Sequence, residues 1–129
     1  MGQVKIYGLA KALDDHRTEI SDVIHSCVTE ALKFPADKRF HRFFPMQPCD
    51  FIYPAGRSDR YVIVEIHLFE GRSVDAKKMF YRLMYQRFNA LLGVDATDLE
   101  IIFIETPRHN WGIRGVAGDE LVVDYQVNV

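Results

Sequence analysis

The sequence predicts an α+β domain built as a tandem β-α-β repeat, and three observations predict it. Val4-Lys5-Ile6-Tyr7 and Val64-Glu65-Ile66-His67 both alternate apolar and polar residues, the period of a strand with one buried face. Ile20, Val23, Ile24, Val28, Ala31 and Leu32 recur at helical spacing, as do Phe80, Leu83, Met84, Phe88, Leu91 and Leu92, so each helix carries one apolar stripe. Each second set stands sixty positions after the first without a gap, and a fixed offset is the signature of an internal repeat.

The elements follow in order. The first strand begins almost at residue one. The first helix starts near Thr18, where Glu19 and Asp22 suit the positive end of the helix dipole. Phe34-Pro35-Ala36-Asp37 forms the turn that leaves it, matched by Val94-Asp95-Ala96-Thr97 in the second unit. Phe40, Phe43 and Phe44 mark the second strand, matched by Glu100, Phe103 and Ile104 in the fourth. A helix of about twenty residues between two strands makes each pair a parallel crossover. Residues 45 to 60, with Pro45, Pro48, Pro54 and Gly56, connect the units. Ser73 is the expected N-cap of the second helix, with Asp75 in its first turn, and Gly93 ends it in the left-handed position. Pro107 to Gly118 reads as a loop, and Leu121 to Val127 as a last short strand whose edge suits pairing with another chain. The expectation is one domain over 1–129, with pseudo-repeats at about 2–60 and 62–120.

Composition narrows the function classes. The 129 residues are 48% apolar and 26% charged, which is globular and not disordered. Sixteen basic and eighteen acidic residues leave a net charge of −2, so no basic nucleic-acid footprint is expected. Arg39-Phe40-His41-Arg42-Phe43-Phe44 does interleave bases with aromatics, but its phenylalanines read as sheet core. No apolar run is long enough to span a membrane. Cys27 and Cys49 form no CxxC, so neither a disulfide framework nor a thiolate zinc site is expected. No HExxH, calcium loop or phosphate loop appears, and no metal or cofactor is expected. The N-terminus lacks the pattern of a secretory signal, which makes a reducing cytoplasm the default expectation.

Particular residues carry a family resemblance. These are the opening Val4-Lys5-Ile6, Phe69-Glu70-Gly71-Arg72-Ser73 leading from strand into helix, Lys77-Lys78 and Phe80-Tyr81. Val94-Asp95-Ala96-Thr97-Asp98-Leu99 and Glu105-Thr106-Pro107-Arg108-His109-Asn110-Trp111-Gly112-Ile113 complete it. The layout resembles the tautomerase superfamily, in particular its malonate semialdehyde decarboxylase-like branch, over nearly the whole chain. The resemblance implies a four-stranded sheet with two helices on one face, assembly as a homotrimer, and a small carboxylate ligand. It also implies an N-terminal proline, exposed by removal of methionine, as acid or base, with arginines nearby to hold the substrate carboxylate.

The chain departs from that pattern where it matters most. Gly2 stands in the place of the proline, or Gln3 if the register slips by one. A small second residue favours removal of Met1, leaving the Gly2 amine, with a reference pKa of about 7.7. Burial beside arginines would lower it, and a neutral primary amine takes a proton or forms a Schiff base. The alternative is that Gly2 only starts a strand. Arg72 matches a carboxylate-binding arginine of the family, and an arginine just before a helix N-terminus offers an anion a bidentate fork. Its alternative is a surface bridge to Glu70 or Asp75. Glu70 replaces a second arginine of the decarboxylase-like branch, and Lys38, beside Asp37, replaces a functional acid. Both departures argue against decarboxylation.

Arg108, Trp111 and Arg114 crowd one short loop and are candidates to close a carboxylate pocket. Trp111 equally suits a subunit interface, where Trp and Arg are common. Tyr7 is a weaker candidate donor. Three classes of function follow: a keto-enol isomerase with Gly2 as base; a family member without catalysis that binds a small anion or only assembles; and a dimeric ferredoxin-like module with the same element order.

Overall fold

The computed structural model describes residues 2–122 and 125–129. Its elements are β1 (Gly2–Leu9), a short α1 (Ala10–Leu13), α2 (Arg17–Leu32), β2 (His41–Met46), β3 (Val62–Phe69), α3 (Val74–Leu92), β4 (Leu99–Thr106) and a small hairpin of β5 (Gly112–Ile113) and β6 (Val116–Ala117). Four strands form one sheet in the order β2-β1-β3-β4. β1 and β2 are parallel, as are β3 and β4, while β1 and β3 pair antiparallel at the centre. The two strands of each unit are direct neighbours, so the split arrangement of a ferredoxin-like module is excluded.

The offset of sixty is visible in detail. β1 covers 2–9 and β3 covers 62–69, and both alternate buried with half-buried residues in the same phase. α2 ends at Leu32 and α3 at Leu92, each followed by a left-handed residue, Lys33 at φ 60° and Gly93 at φ 65°. Val28 O accepts from Phe34 N–H, and Phe88 O from Val94 N–H. Ser73 caps α3 as expected, its hydroxyl accepting from Ala76 N–H at 3.1 Å. Lys33 occupies without a glycine a conformation that costs a side chain about 1 kcal/mol.

One side of the sheet carries the core. Val4, Ile6, Val64, Ile66 and Leu68 meet Ile24, Val28, Leu32, Phe80, Met84 and Phe88 from α2 and α3. Both main helices therefore lie on one face, as the resemblance implies. Among the described residues, no helix is long and apolar enough to cross a membrane. Cys27 is buried in the core and Cys49 exposed, each a free thiol. Of the expected last strand, Leu121, Val122 and Tyr125 to Val127 form no strand, and Val123 and Asp124 lie outside the described residues. The loop after β4 is more ordered than its composition suggests. Arg114 and Gly115, at φ 50° and 87°, make the two-residue turn between β5 and β6, the conformation of a type I′ hairpin.

Candidate active site

Gly2 opens β1 at its buried phase, paired across the sheet with Leu68. The first residues after α2 then cross over it. A Cβ built on Gly2 would stand 2.3 Å from Cε2 and 2.4 Å from Cζ of Phe34. No side chain fits there while that ring stays, so glycine is required by close approach rather than by backbone twist. The other neighbour of the ring is Arg72, whose guanidinium carbon lies 5.1 Å from the ring centre, a cation–π contact. Phe34 thus bridges Gly2 and Arg72.

Arg72 sits in the turn between β3 and α3 and is only 5% exposed. Its Nη1 donates to Phe69 O at 3.3 Å. Its Nε and Nη2 are buried and have no hydrogen-bond partner among the described residues. These two nitrogens flank one edge of the planar fork, the edge that grips a carboxylate bidentately. Burial lowers the guanidinium pKa to about 10, partly offset by the Glu105 carboxylate, so the group is still a cation at neutral pH. Glu105 itself accepts a hydrogen bond from Lys77. The bridge from Arg72 to Glu70 or Asp75 does not form. An unpaired cation this deeply buried costs stability, which is the usual mark of a group kept for a ligand.

The segment 125–129 covers the same corner. Ser73 N–H donates to Val129 O at 3.4 Å, and Val127 is buried against Phe69. The hydroxyl of Tyr125 is buried without a partner among the described residues, and its ring borders the space beside Gly2, Phe34 and Phe40. That space is closed down to about 10 Å³.

The remaining candidates separate. Arg108 donates from Nε to Gly118 O at 3.2 Å and from Nη2 to Leu121 O at 2.8 Å, with its guanidinium over the Phe69 ring. Its fork is engaged in holding the chain after the hairpin. Trp111 donates from Nε1 to Thr106 Oγ1 at 2.8 Å and meets Phe69 edge-on. With Gln3, Phe40, Ile113 and Arg114 it also lines an open groove of about 360 Å³ beside the start of β1. Arg114 lies on this groove at the tip of a hairpin; the groove shares Phe40 with the space beside Gly2, while Gln3 projects to the opposite face. Tyr7 lies further along that opposite face. It is an odd-numbered residue of β1, so it points to the face opposite Gly2, where it stacks on Phe44 at 4.7 Å. Phe34, Tyr125, Lys77 and Glu105 are the participants that sequence reading missed. The repeat held a signal for the first: Val62 and Val94 occupy the positions of Gly2 and Phe34 in the second unit, so a lost side chain at one position accompanies a larger one at the other.

A family model described as tautomerase enzyme matches residues 38–114, more than half of the chain. The chain belongs to this tautomerase enzyme family. It is 30% identical to a 2-hydroxymuconate tautomerase of Comamonas testosteroni over 57 residues, 44% of this chain and 90% of that one. The corresponding tautomerase of Pseudomonas putida is 32% identical over the same shares. Among solved structures, a malonate semialdehyde decarboxylase inhibited by 3-bromopropiolate superposes with a TM-score of 0.80 at 25% identity, covering 94% of this chain and 98% of that one. A fused 4-OT that forms a symmetric trimer shares the tautomerase fold, with a TM-score of 0.75 at 18% identity over 91% and 96%.

Proposed function

We propose that this protein is a keto-enol isomerase of small 2-keto or enol carboxylic acids, with the Gly2 amine as its base. The observation that carries this reading is the buried edge of Arg72, without a partner among the described residues, which shares Phe34 as a neighbour with Gly2. Nε and Nη2 of Arg72 would hold the substrate carboxylate, placing C2 and C3 toward the start of β1. With Met1 removed, the neutral amine takes the proton of the enol oxygen and the resulting ammonium returns it to C3. The C2–O bond becomes a carbonyl, and no atom is gained or lost. The reference pKa of such an amine, about 7.7, leaves a useful fraction neutral at pH 7. Arg114 and Trp111, on the groove beside Gln3, would border the substrate's far end.

The test is ketonisation of phenylenolpyruvate by the natural protein and by Arg72→Met. A fall of about a hundredfold in kcat/KM, as expected for removal of a charged contact, supports the reading. Equal rates in the two proteins overturn it. The closed space beside Gly2 favours a second reading, in which the chain binds a small anion without turnover. It predicts Arg72-dependent binding of pyruvate and no ketonisation.

The sheet face opposite the helices supports a homotrimer. Ile102 and Phe44 are 50% and 36% exposed there, with Phe44 stacked on Tyr7. Sedimentation equilibrium at three times the monomer mass fits this assembly; a monomer excludes it.

A further inference from the structure

The repeat supplies an internal control for the candidate site. Sixty positions on, Gly2 corresponds to Val62, Phe34 to Val94 and Arg72 to Ala12. The counterpart residues Ala12, Val62 and Val94 line a cleft of about 200 Å³ with Leu13, Phe88 and Leu92. The space bordered by Gly2 and Phe34 is only about 10 Å³. The two ends of the sheet therefore differ in a definite way. At the counterpart end, where Ala12 stands for Arg72, the cleft is open and bordered by Arg60; beside Gly2 the Phe34 ring narrows the space. At the counterpart position Val94, opposite Val62, takes the place that the ring takes opposite Gly2. Phe34 is 8% exposed, at the border of the main core, and its backbone runs between left-handed Lys33 and Pro35 with a long 3.3 Å hydrogen bond to Val28 O.

We infer that Phe34 is the gate of the carboxylate site: its ring, packed against Gly2 and under the Arg72 guanidinium, must rotate away before a ligand reaches either group. This inference rests on Arg72 being the carboxylate anchor. In the closed position the ring excludes water from both groups and gives the guanidinium an aromatic partner. A carboxylate of the right size displaces the ring because two charge-assisted hydrogen bonds replace one cation–π contact. Each ligand therefore binds with its intrinsic affinity reduced by the fraction of time the gate is open. Phe34 in this sense sets how much of the site's intrinsic affinity a ligand realises.

The test measures pyruvate binding by titration calorimetry for the natural protein, Phe34→Val, Phe34→Leu and each of these combined with Arg72→Met. Phe34→Val installs the residue of the counterpart position, and Phe34→Leu keeps most of the core volume if valine does not fold. The expected result is an affinity about tenfold tighter in either single variant, lost again with Arg72→Met. An affinity that stays equal or weakens in the Phe34 variants, while Arg72→Met weakens binding in the natural background, overturns the gate and leaves the anchor in place. No effect of Arg72→Met in any background overturns the anchor and the gate with it.

Discussion

The ring of Phe34 lies so close to Gly2 that a Cβ there would stand 2.3 Å from its Cε2. The two residues are thirty-two positions apart in sequence, yet each dictates the size of the other. Gly2→Ala is expected to destabilise the fold by about 1–3 kcal/mol, the usual cost of overpacking a filled site. Gly2→Pro should do the same, so restoring the family's proline alone will not report on chemistry. Combining either with Phe34→Val should recover at least half of the loss. Thermal unfolding of the four proteins in a double-mutant cycle checks this, and strict additivity would contradict the contact.

On the proposed reading, Arg72 trades stability for a binding group. Replacing it with Met removes a buried charge whose Nε and Nη2 have no partner among the described residues. The loss of the Phe69 carbonyl bond and the Phe34 contact is offset by relief of desolvation. Stability is expected to be unchanged or higher by up to about 2 kcal/mol, while pyruvate affinity falls. Urea unfolding provides the reading. A loss of more than about 3 kcal/mol would mark Arg72 as a structural cation with a hidden partner.

The end of α2 offers a stabilising change. Lys33 holds φ 60° where its repeat counterpart is Gly93. Lys33→Gly should raise stability by about 0.5–1 kcal/mol, even after loss of the Lys33 Nζ bond to Glu30 O. Chemical denaturation measures it, and a decrease would show that the bond outweighs the strain.

His41 gives the fold an acid-side weakness. Its Nδ1 lies 2.7 Å from Ser21 Oγ, and burial first, then Arg39 and His25, lower its pKa to about 4, against the pull of Asp22. The unfolded chain takes up this proton near pH 6.5, and the folded chain only near 4. Stability is thus full above the higher value and is lost as pH falls between the two. The ring retains some solvent contact, so the loss is put at roughly 1–2 kcal/mol, below what the shift alone implies. His41→Gln should flatten the stability profile between pH 6.5 and 4. An unchanged slope would place the titration elsewhere.

Much of the fold was legible because each long element repeats one period. Alternation in Val4 to Tyr7 and Val64 to His67 marks β1 and β3, and the apolar stripes mark α2 and α3. Ser73 and Gly93 announced their caps by residue type, whereas Lys33 could not. β5 and β6 are two residues each, too short to show a period, and their turn uses Arg-Gly rather than Asn-Gly. The site was half legible. Gly2 and Arg72 stand at positions that the sequence resemblance implies, but Phe34 joins them through a contact between distant turns. Arg108 looked available because the carbonyls that engage it belong to Gly118 and Leu121, which no local pattern brings back.

The central claim is that the Gly2 amine moves the proton. It is tested most directly by the pH dependence of phenylenolpyruvate ketonisation before and after selective carbamoylation of the N-terminal amine. The account predicts a rate that rises as the amine loses its proton, with a midpoint at or below about pH 7.7, and that disappears on carbamoylation. A rate that survives the blocked amine unchanged would contradict it.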